Sequence, residues 1–264
     1  MALSLTPLFS GSSGNAILVS SDRSKILIDA GVSGKRMEEA LHSIGESIDD
    51  IKGILITHEH TDHIQGAGIL SRKHDIPVYA TAPTWAASCD KLGTVRSRLA
   101  RVIGKDPFYI DDLTIEPFEI SHDAADPVGY CVMCGRSRLA VATDLGYFPQ
   151  AVEYKLHACD LVLLEANHDL EMLSAGRYPY ELKQRIKSRR GHLSNDDAAD
   201  AAVKLACAGV SSILLGHLSR ENNSEHLAFR TVTDALLAQG ITPGRDVSLG
   251  LAFRDKVTGR FRIK

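Results

Sequence analysis

Apolar residues fall in short runs separated by turn residues, and the runs have two periods. Strand-like runs cover Leu3 to Phe9, Ala16 to Ser20, Lys25 to Asp29, Gly53 to Thr57 and Val78 to Ala80. They resume at Leu113 to Ile120, Val128 to Met133, Arg138 to Thr143, Leu161 to Glu165, Ser212 to Leu215 and Val247 to Leu249. Elsewhere the period is that of a helix. In Ser194 to Ala208, Ala198, Ala202 and Leu205 share one face. Ser194 with Asp197 three residues on reads as a capping box, and Gly209 as the stop. A second helix is predicted over Ser224 to Gln239, ending at Gly240, and a third between Ile64 and His74. Short turns join the early strands and helices join the later ones, so the pattern alone predicts an α/β or α+β chain. With no repeat, low-complexity tract or linker, one domain over residues 1–264 is expected.

Composition changes this picture little. Apolar content of 44 % and charged content of 24 % suit a globular chain long enough to bury a full core. No apolar run approaches the roughly 20 residues of a membrane helix. The segment Met1 to Pro7 lacks the basic flank and apolar stretch of a secretion signal. Five scattered cysteines suggest a reduced, cytoplasmic protein. Cys131 and Cys134 form a lone C-x-x-C inside a strand-like run; residues three apart on a strand face opposite sides, which favours packing thiols over a shared metal.

A net charge of −3 gives no global attraction to nucleic acid, so local clusters have to supply any. One comprises Lys91, Arg96, Arg98, Arg101 and Lys105; another comprises Lys183, Arg185, Lys187, Arg189 and Arg190. A solvated face is the ordinary reading of such runs. The second leads directly into His192, however, with Tyr178 and Tyr180 close by and able to stack on bases.

The most specific chemistry lies in His58-Glu59-His60-Thr61-Asp62-His63, directly after the buried run Gly53 to Thr57. His58 and His60 alternate and can address one ion, while Asp62 and His63 sit one turn further on. Imidazole and carboxylate are donors that zinc and manganese accept. Three further apolar runs each end in one ligand-capable residue: His122, Asp144 and His217. His42, His74, His157 and His226 lie in helix-like or loop stretches without evident partners and read as surface residues.

This ligand series resembles the metallo-β-lactamase superfamily. The wider match is similar to its YycJ/WalJ (VicX) family. It rests on Gly11-Ser12-Ser13-Gly14-Asn15, the H-x-H-x-D-H motif, Ser121-His122-Asp123, Glu165-Ala166-Asn167-His168, Gly191-His192-Leu193-Ser194-Asn195 and His217-Leu218-Ser219-Arg220-Glu221-Asn222-Asn223. The resemblance implies an αββα sandwich and two divalent ions, zinc or manganese. It assigns His58, His60 and His122 to the first ion, Asp62, His63 and His217 to the second, and Asp144 to both. Asp29 supports the site without binding metal. The implied activity is a phosphodiesterase, most specifically a 5′→3′ DNA exonuclease, with a metal-bridging hydroxide as nucleophile and Asp62 orienting it.

Glu165 and His192 resemble the paired motifs of RNase Z-type phosphodiesterases, in which the glutamate orients a histidine that protonates the leaving oxygen. Substrate contacts are expected from Ser194, Arg220, Asn222, Asn223, Lys183 and Arg185. His168 either touches substrate or caps the next helix. The interval between Asp144 and His217 leaves no room for the inserted domain of β-CASP nucleases. Nucleic acid, DNA before RNA, is the expected partner, with no membrane. Two other readings remain: a hydrolase of small thioesters, lactones or phosphodiesters, and a non-catalytic regulatory or nucleic-acid-binding protein.

Overall fold

The computed structural model describes residues 2–263; Met1 and Lys264, the two ends of the expected domain, lie outside the described residues. The first half of the chain lays down β1 (Ser4–Gly11), β2 (Gly14–Ser20), β3 (Lys25–Ile28), helix α1 (Gly34–Ser43) and β4 (Ile51–Leu55). Helices α2 (Thr61–Ile64) and α3 (Ala67–His74), strand β5 (Val78–Thr81), α4 (Ala82–Leu92) and β6 (Ala100–Ile103) follow. The second half begins with β7 (Phe108–Ile110), β8 (Leu113–Glu119), β9 (Val128–Cys134) and β10 (Ser137–Ala142). It continues through α5 (Gln150–Leu156), β11 (Leu161–Glu165), α6 (Leu170–Ala175), α7 (Tyr180–Lys187) and α8 (Asn195–Cys207). It ends with β12 (Ser212–Gly216), α9 (Glu225–Ala238), β13 (Ser248–Leu251) and β14 (Phe261–Arg262).

The strands form two seven-stranded mixed sheets, ordered β14-β1-β2-β3-β4-β5-β6 and β13-β12-β11-β10-β9-β8-β7. Hairpins build one end of each sheet and parallel crossovers the other; β3, β4, β5 and β6 are mutually parallel, as are β10, β11, β12 and β13. Strands buried on both faces read as near-continuous apolar runs, which is why Leu161–Glu165 and Ser212–Gly216 show no alternation. Leu5, Ile28, Tyr130, Val132 and Leu163 pack between the sheets. Leu27, Met37, Ile54 and Leu70 pack on the outer face of the first sheet, and Val162, Ala202, Leu205, Val232 and Leu236 on that of the second. Helix, sheet, sheet and helix therefore form the layers of an αββα sandwich.

The capping box at Ser194 and Asp197 is present. Cys131 and Cys134 lie on opposite faces of β9, one in the outer core and one between the sheets. The helix expected between Ile64 and His74 is α3, and a further short helix, α2, precedes it, the two parted at Gly66, where a Cβ would stand 2.3 Å from Val32 O. His74 is not an isolated surface residue. Its ring meets Asp49 at 2.6 Å and Glu38 at 3.1 Å.

Candidate metal centre

Each ligand-bearing loop leaves the end of a strand, and the backbone there turns sharply. Asp29, Asp144 and His217, the residues after or near the ends of β3, β10 and β12, all have left-handed backbones, with φ of 61°, 61° and 55°. That conformation is uncommon for residues other than glycine, and a tight surrounding structure has to hold it. Here it swings three side chains from strand ends into one cleft. Gly31 allows the H-x-H-x-D-H loop to close over β2 and β3, because a Cβ there would lie 1.6 Å from Asp62 O.

The seven predicted ligands converge. His58, His60 and His122 present ring nitrogens within 4.8 Å of one another, and a carboxylate oxygen of Asp62 lies within the same distance of nitrogens of His63 and His217. Asp144 lies between the two groups, with Oδ1 3.8 Å from His122 Nε2 and Oδ2 3.4 Å from His63 Nε2. The far nitrogen of several rings is anchored. His63 Nδ1 meets Asp29 Oδ2 at 2.8 Å, His122 Nδ1 meets Gly191 O at 3.0 Å, and His217 Nδ1 meets Glu165 Oε1 at 3.0 Å. Such outer partners fix the orientation of an imidazole ligand. The inward atoms His58 Nε2, His217 Nε2 and Asp144 Oδ2 are buried without a hydrogen-bond partner. Buried polar atoms are normally satisfied, so these three mark a place for a cation.

Electrostatics agrees. Burial pulls His63 and His217 down, but Asp144 and the carboxylates beside each ring outweigh it and lift them to about 10 and about 9. Burial alone would raise the Asp144 carboxyl; His217 and His63 hold it well below the usual range. Burial instead pushes His58 well down and His122 down, and a histidine–aspartate set of this kind suits a divalent metal ion.

Beside the cluster, His192 Nδ1 lies 2.8 Å from Glu165 Oε1 and 3.7 Å from Asp144 Oδ1. His192 stands ahead of α8, on a segment seated against Gly146, where a Cβ would meet Arg189 O at 2.2 Å.

The other candidates are dispersed. Ser194 caps α8 and is buried. Asn223 spends its amide on Ala166 O, Asn167 O and Asn195 Oδ1. Asn222 is buried with Nδ2 unpartnered. Arg220 is exposed. Lys183 and Lys187 both reach Ser174, at 2.8 Å, and Arg185 pairs with Asp123. His168 is buried with Nδ1 unpartnered, and the following helix is capped by Asp169 instead. Of the basic cluster between Lys91 and Lys105, Arg96 and Arg98 share Asp75, Lys105 pairs with Glu119, and Lys91 donates to Glu59 O.

Three residues without a predicted role join the centre. Thr57 binds Asp29 through its amide and its hydroxyl, at 2.9 Å each, and its hydroxyl lies 3.0 Å from His58 Nδ1. Asn15 Nδ2 lies 3.0 Å from His63 Nε2. Asp123 Oδ1, buried and unpartnered, lies 3.3 Å from His122 Nε2. Adjacency to a ligand was a signal for Thr57 and Asp123; Asn15 offered only its glycine-rich turn.

The Beta-lactamase superfamily domain family matches residues 24–218, a span holding all seven candidate ligands. Exodeoxyribonuclease YycJ of Bacillus anthracis is 40% identical over 245 residues, covering 92% of this chain and 93% of its own. Exodeoxyribonuclease WalJ of Streptococcus pneumoniae serotype 2 (strain D39) is 41% identical over 243 residues, 90% of each chain. Among solved structures, the metallo-β-lactamase fold protein YhfI of Bacillus subtilis is similar over 99% of both chains, with a TM-score of 0.70 and 15% identity, a likeness of fold alone.

Proposed function

This chain belongs to the metallo-β-lactamase superfamily and, within it, to the YycJ/WalJ family; from that premise we propose that it is a di-metal phosphodiesterase, a 5′→3′ DNA exonuclease of the cytoplasm, built as one domain without a β-CASP insertion. In this reading His58, His60 and His122 would hold one ion, Asp62, His63 and His217 the other, and Asp144 would serve both. Bound there, two ions, zinc or manganese, would lower the pKa of a water and neutralise charge on a phosphodiester.

The chain's own residues supply the rest. Asp62, with Oδ2 3.6 Å from His63 Nε2 and 4.0 Å from His217 Nε2, orients the water and takes its proton. Glu165 engages His192 Nδ1, which leaves Nε2 to hold a proton for the leaving oxygen. Water oxygen bonds to phosphorus, the bond to the leaving oxygen breaks with its electron pair, and that oxygen receives the proton from His192.

The observation that carries the nuclease reading is the Glu165–His192 pair at the edge of the metal cluster. Its help matters for a poor leaving group such as a sugar hydroxyl and little for nitrophenolate. His192→Ala is therefore expected to slow DNA cleavage by roughly 10²–10⁴-fold while retaining most of the rate on bis-nitrophenyl phosphate. Metal content is expected to stay unchanged. Equal losses on both substrates with metals bound would remove the general-acid role.

A further inference from the structure

A cavity of about 180 Å³ opens beside His192. Leu182 and Ile186 of α7, with Tyr178 ahead of that helix, make one side of its lining, and Ser12 and Ser219 add hydroxyls. Tyr178 is half-buried at this lining, whereas Tyr180 is 73% exposed and takes no part in it. The helical side is held in place. Lys183 and Lys187 tie α7 to Ser174 at the end of α6, and Arg185 ties it to Asp123 in the His122 loop. Gly191 packs under Ile186, where a Cβ would meet the Ile186 carbonyl at 2.0 Å. The cavity is thus preformed, which lowers the cost of ordering a ligand in it.

We propose that this cavity receives the nucleoside at the end of the strand, the piece that departs with the oxygen that His192 protonates. The inference rests on the phosphodiesterase reading above. A proton donor must stand on the side of the bond where the leaving group lies, and His192 is part of the cavity lining. The volume is below the roughly 300 Å³ at which ligand pockets commonly begin. It suits one base at a time. With the terminal base seated there, the cut falls one nucleotide from the end. Tyr178 offers an aromatic face and Leu182 and Ile186 aliphatic ones to any base, while among the polar lining Arg185 is paired with Asp123 and the Asn167 amide is donated to His217 O. Release is expected to be indifferent to sequence.

A cycle of four rates tests this. DNA with an intact 5′ terminus is compared with DNA whose terminal nucleotide is abasic, for the unaltered protein and for Tyr178→Ala. The missing base is expected to lower kcat/KM roughly 10-fold with the unaltered protein, the scale of one lost stacking contact, and about 2-fold or less with Tyr178→Ala. Tyr178→Phe is expected to restore the full difference. If Tyr178→Ala does not fold, Leu182→Trp fills the same cavity and is expected to abolish the same difference. Quenching of 2-aminopurine at the terminal position, and not at the third, is expected in metal-free protein. An unchanged base effect in folded variants overturns the cavity assignment alone; equal cleavage of circular and linear single strands overturns it together with the exonuclease reading. A metal-loaded protein that cleaves no nucleic acid overturns the phosphodiesterase reading instead.

Discussion

Glu165 is fully buried, and its two oxygens serve four donors. Oε2 accepts the amides of Leu145 and Leu193 at 2.8 and 3.0 Å, and Oε1 faces His192 and His217 at 2.8 and 3.0 Å. Burial pushes its carboxyl up, but His192 and then His217 outweigh that and hold it at about 2. The sequence suggested one partner, His192; the fold adds His217, a candidate ligand. Glu165→Gln keeps the volume and replaces one acceptor oxygen with a donor, so it cannot satisfy all four groups. This variant is expected to lose both DNA cleavage and metal retention at the His217 side, unlike His192→Ala. Dialysis against graded chelator followed by elemental analysis checks it; full metal content with a defect confined to DNA would leave Glu165 serving His192 alone. The clustering of the candidate histidines was legible because a tight H-x-H-x-D-H follows a buried strand. Thr57 and Asn15 were not, because a hydroxyl or amide becomes an outer partner only when the fold brings a ring within reach.

Strand ends position these side chains, and loop contacts position the strand ends. Gly146 shows how closely. Its amide donates to Ser121 O at 2.7 Å, and an added Cβ would lie 2.2 Å from Arg189 O and 2.6 Å from Arg190 N. Those are backbone atoms two and three residues before His192. Gly146→Ala is expected to push that segment away and slow DNA cleavage on the order of 10²-fold, the cost of an ångström-scale misplacement. Metal content is expected to stay near that of the unaltered protein; loss of metal would mean that the Asp144 loop had yielded instead. Elements with a strong period were legible, α8 and the buried strands above all. Edge strands β6 and β7 were not: β6 carries exposed Arg101 and Val102, and β7 has three residues, too few to show a pattern. The left-handed turns at Asp144 and His217 leave no periodic trace either.

Across the whole molecule, long-range ties link the chain's ends and its two sheets. Glu46, after α1, reaches Lys25 of β3 at 2.5 Å and also pairs with Arg260 just before β14. Burial pushes the Glu46 carboxyl up, but Lys25 and Arg260 outweigh it and hold it below its ordinary 4.5. A lowered carboxyl stabilises the fold above its unfolded pKa and loses that effect as pH falls through the folded one. Glu46→Gln is therefore expected to cost up to about 1 kcal/mol at pH 7 and less as pH falls below the ordinary 4.5, as urea midpoints at pH 7 and at acid pH would show. The metal centre joins the sheets more directly. His58, His60, Asp62 and His63 follow β4 of the first sheet, whereas His122, Asp144 and His217 come from loops of the second. Without a cation, Asp144 and several imidazoles face one another across that junction with buried atoms unsatisfied. An ion that binds the folded chain alone stabilises it by roughly 2.7 kcal/mol at 100 times its dissociation constant. For a chain of this size, that is a rise in Tm of about 5–10 °C. Calorimetry of chelator-treated protein with and without restored zinc or manganese is expected to show this rise, and Asp144→Ala to abolish most of it. An unchanged Tm at saturating metal would mean that the two sheets hold together without the ions, and that the seven side chains are not their ligands.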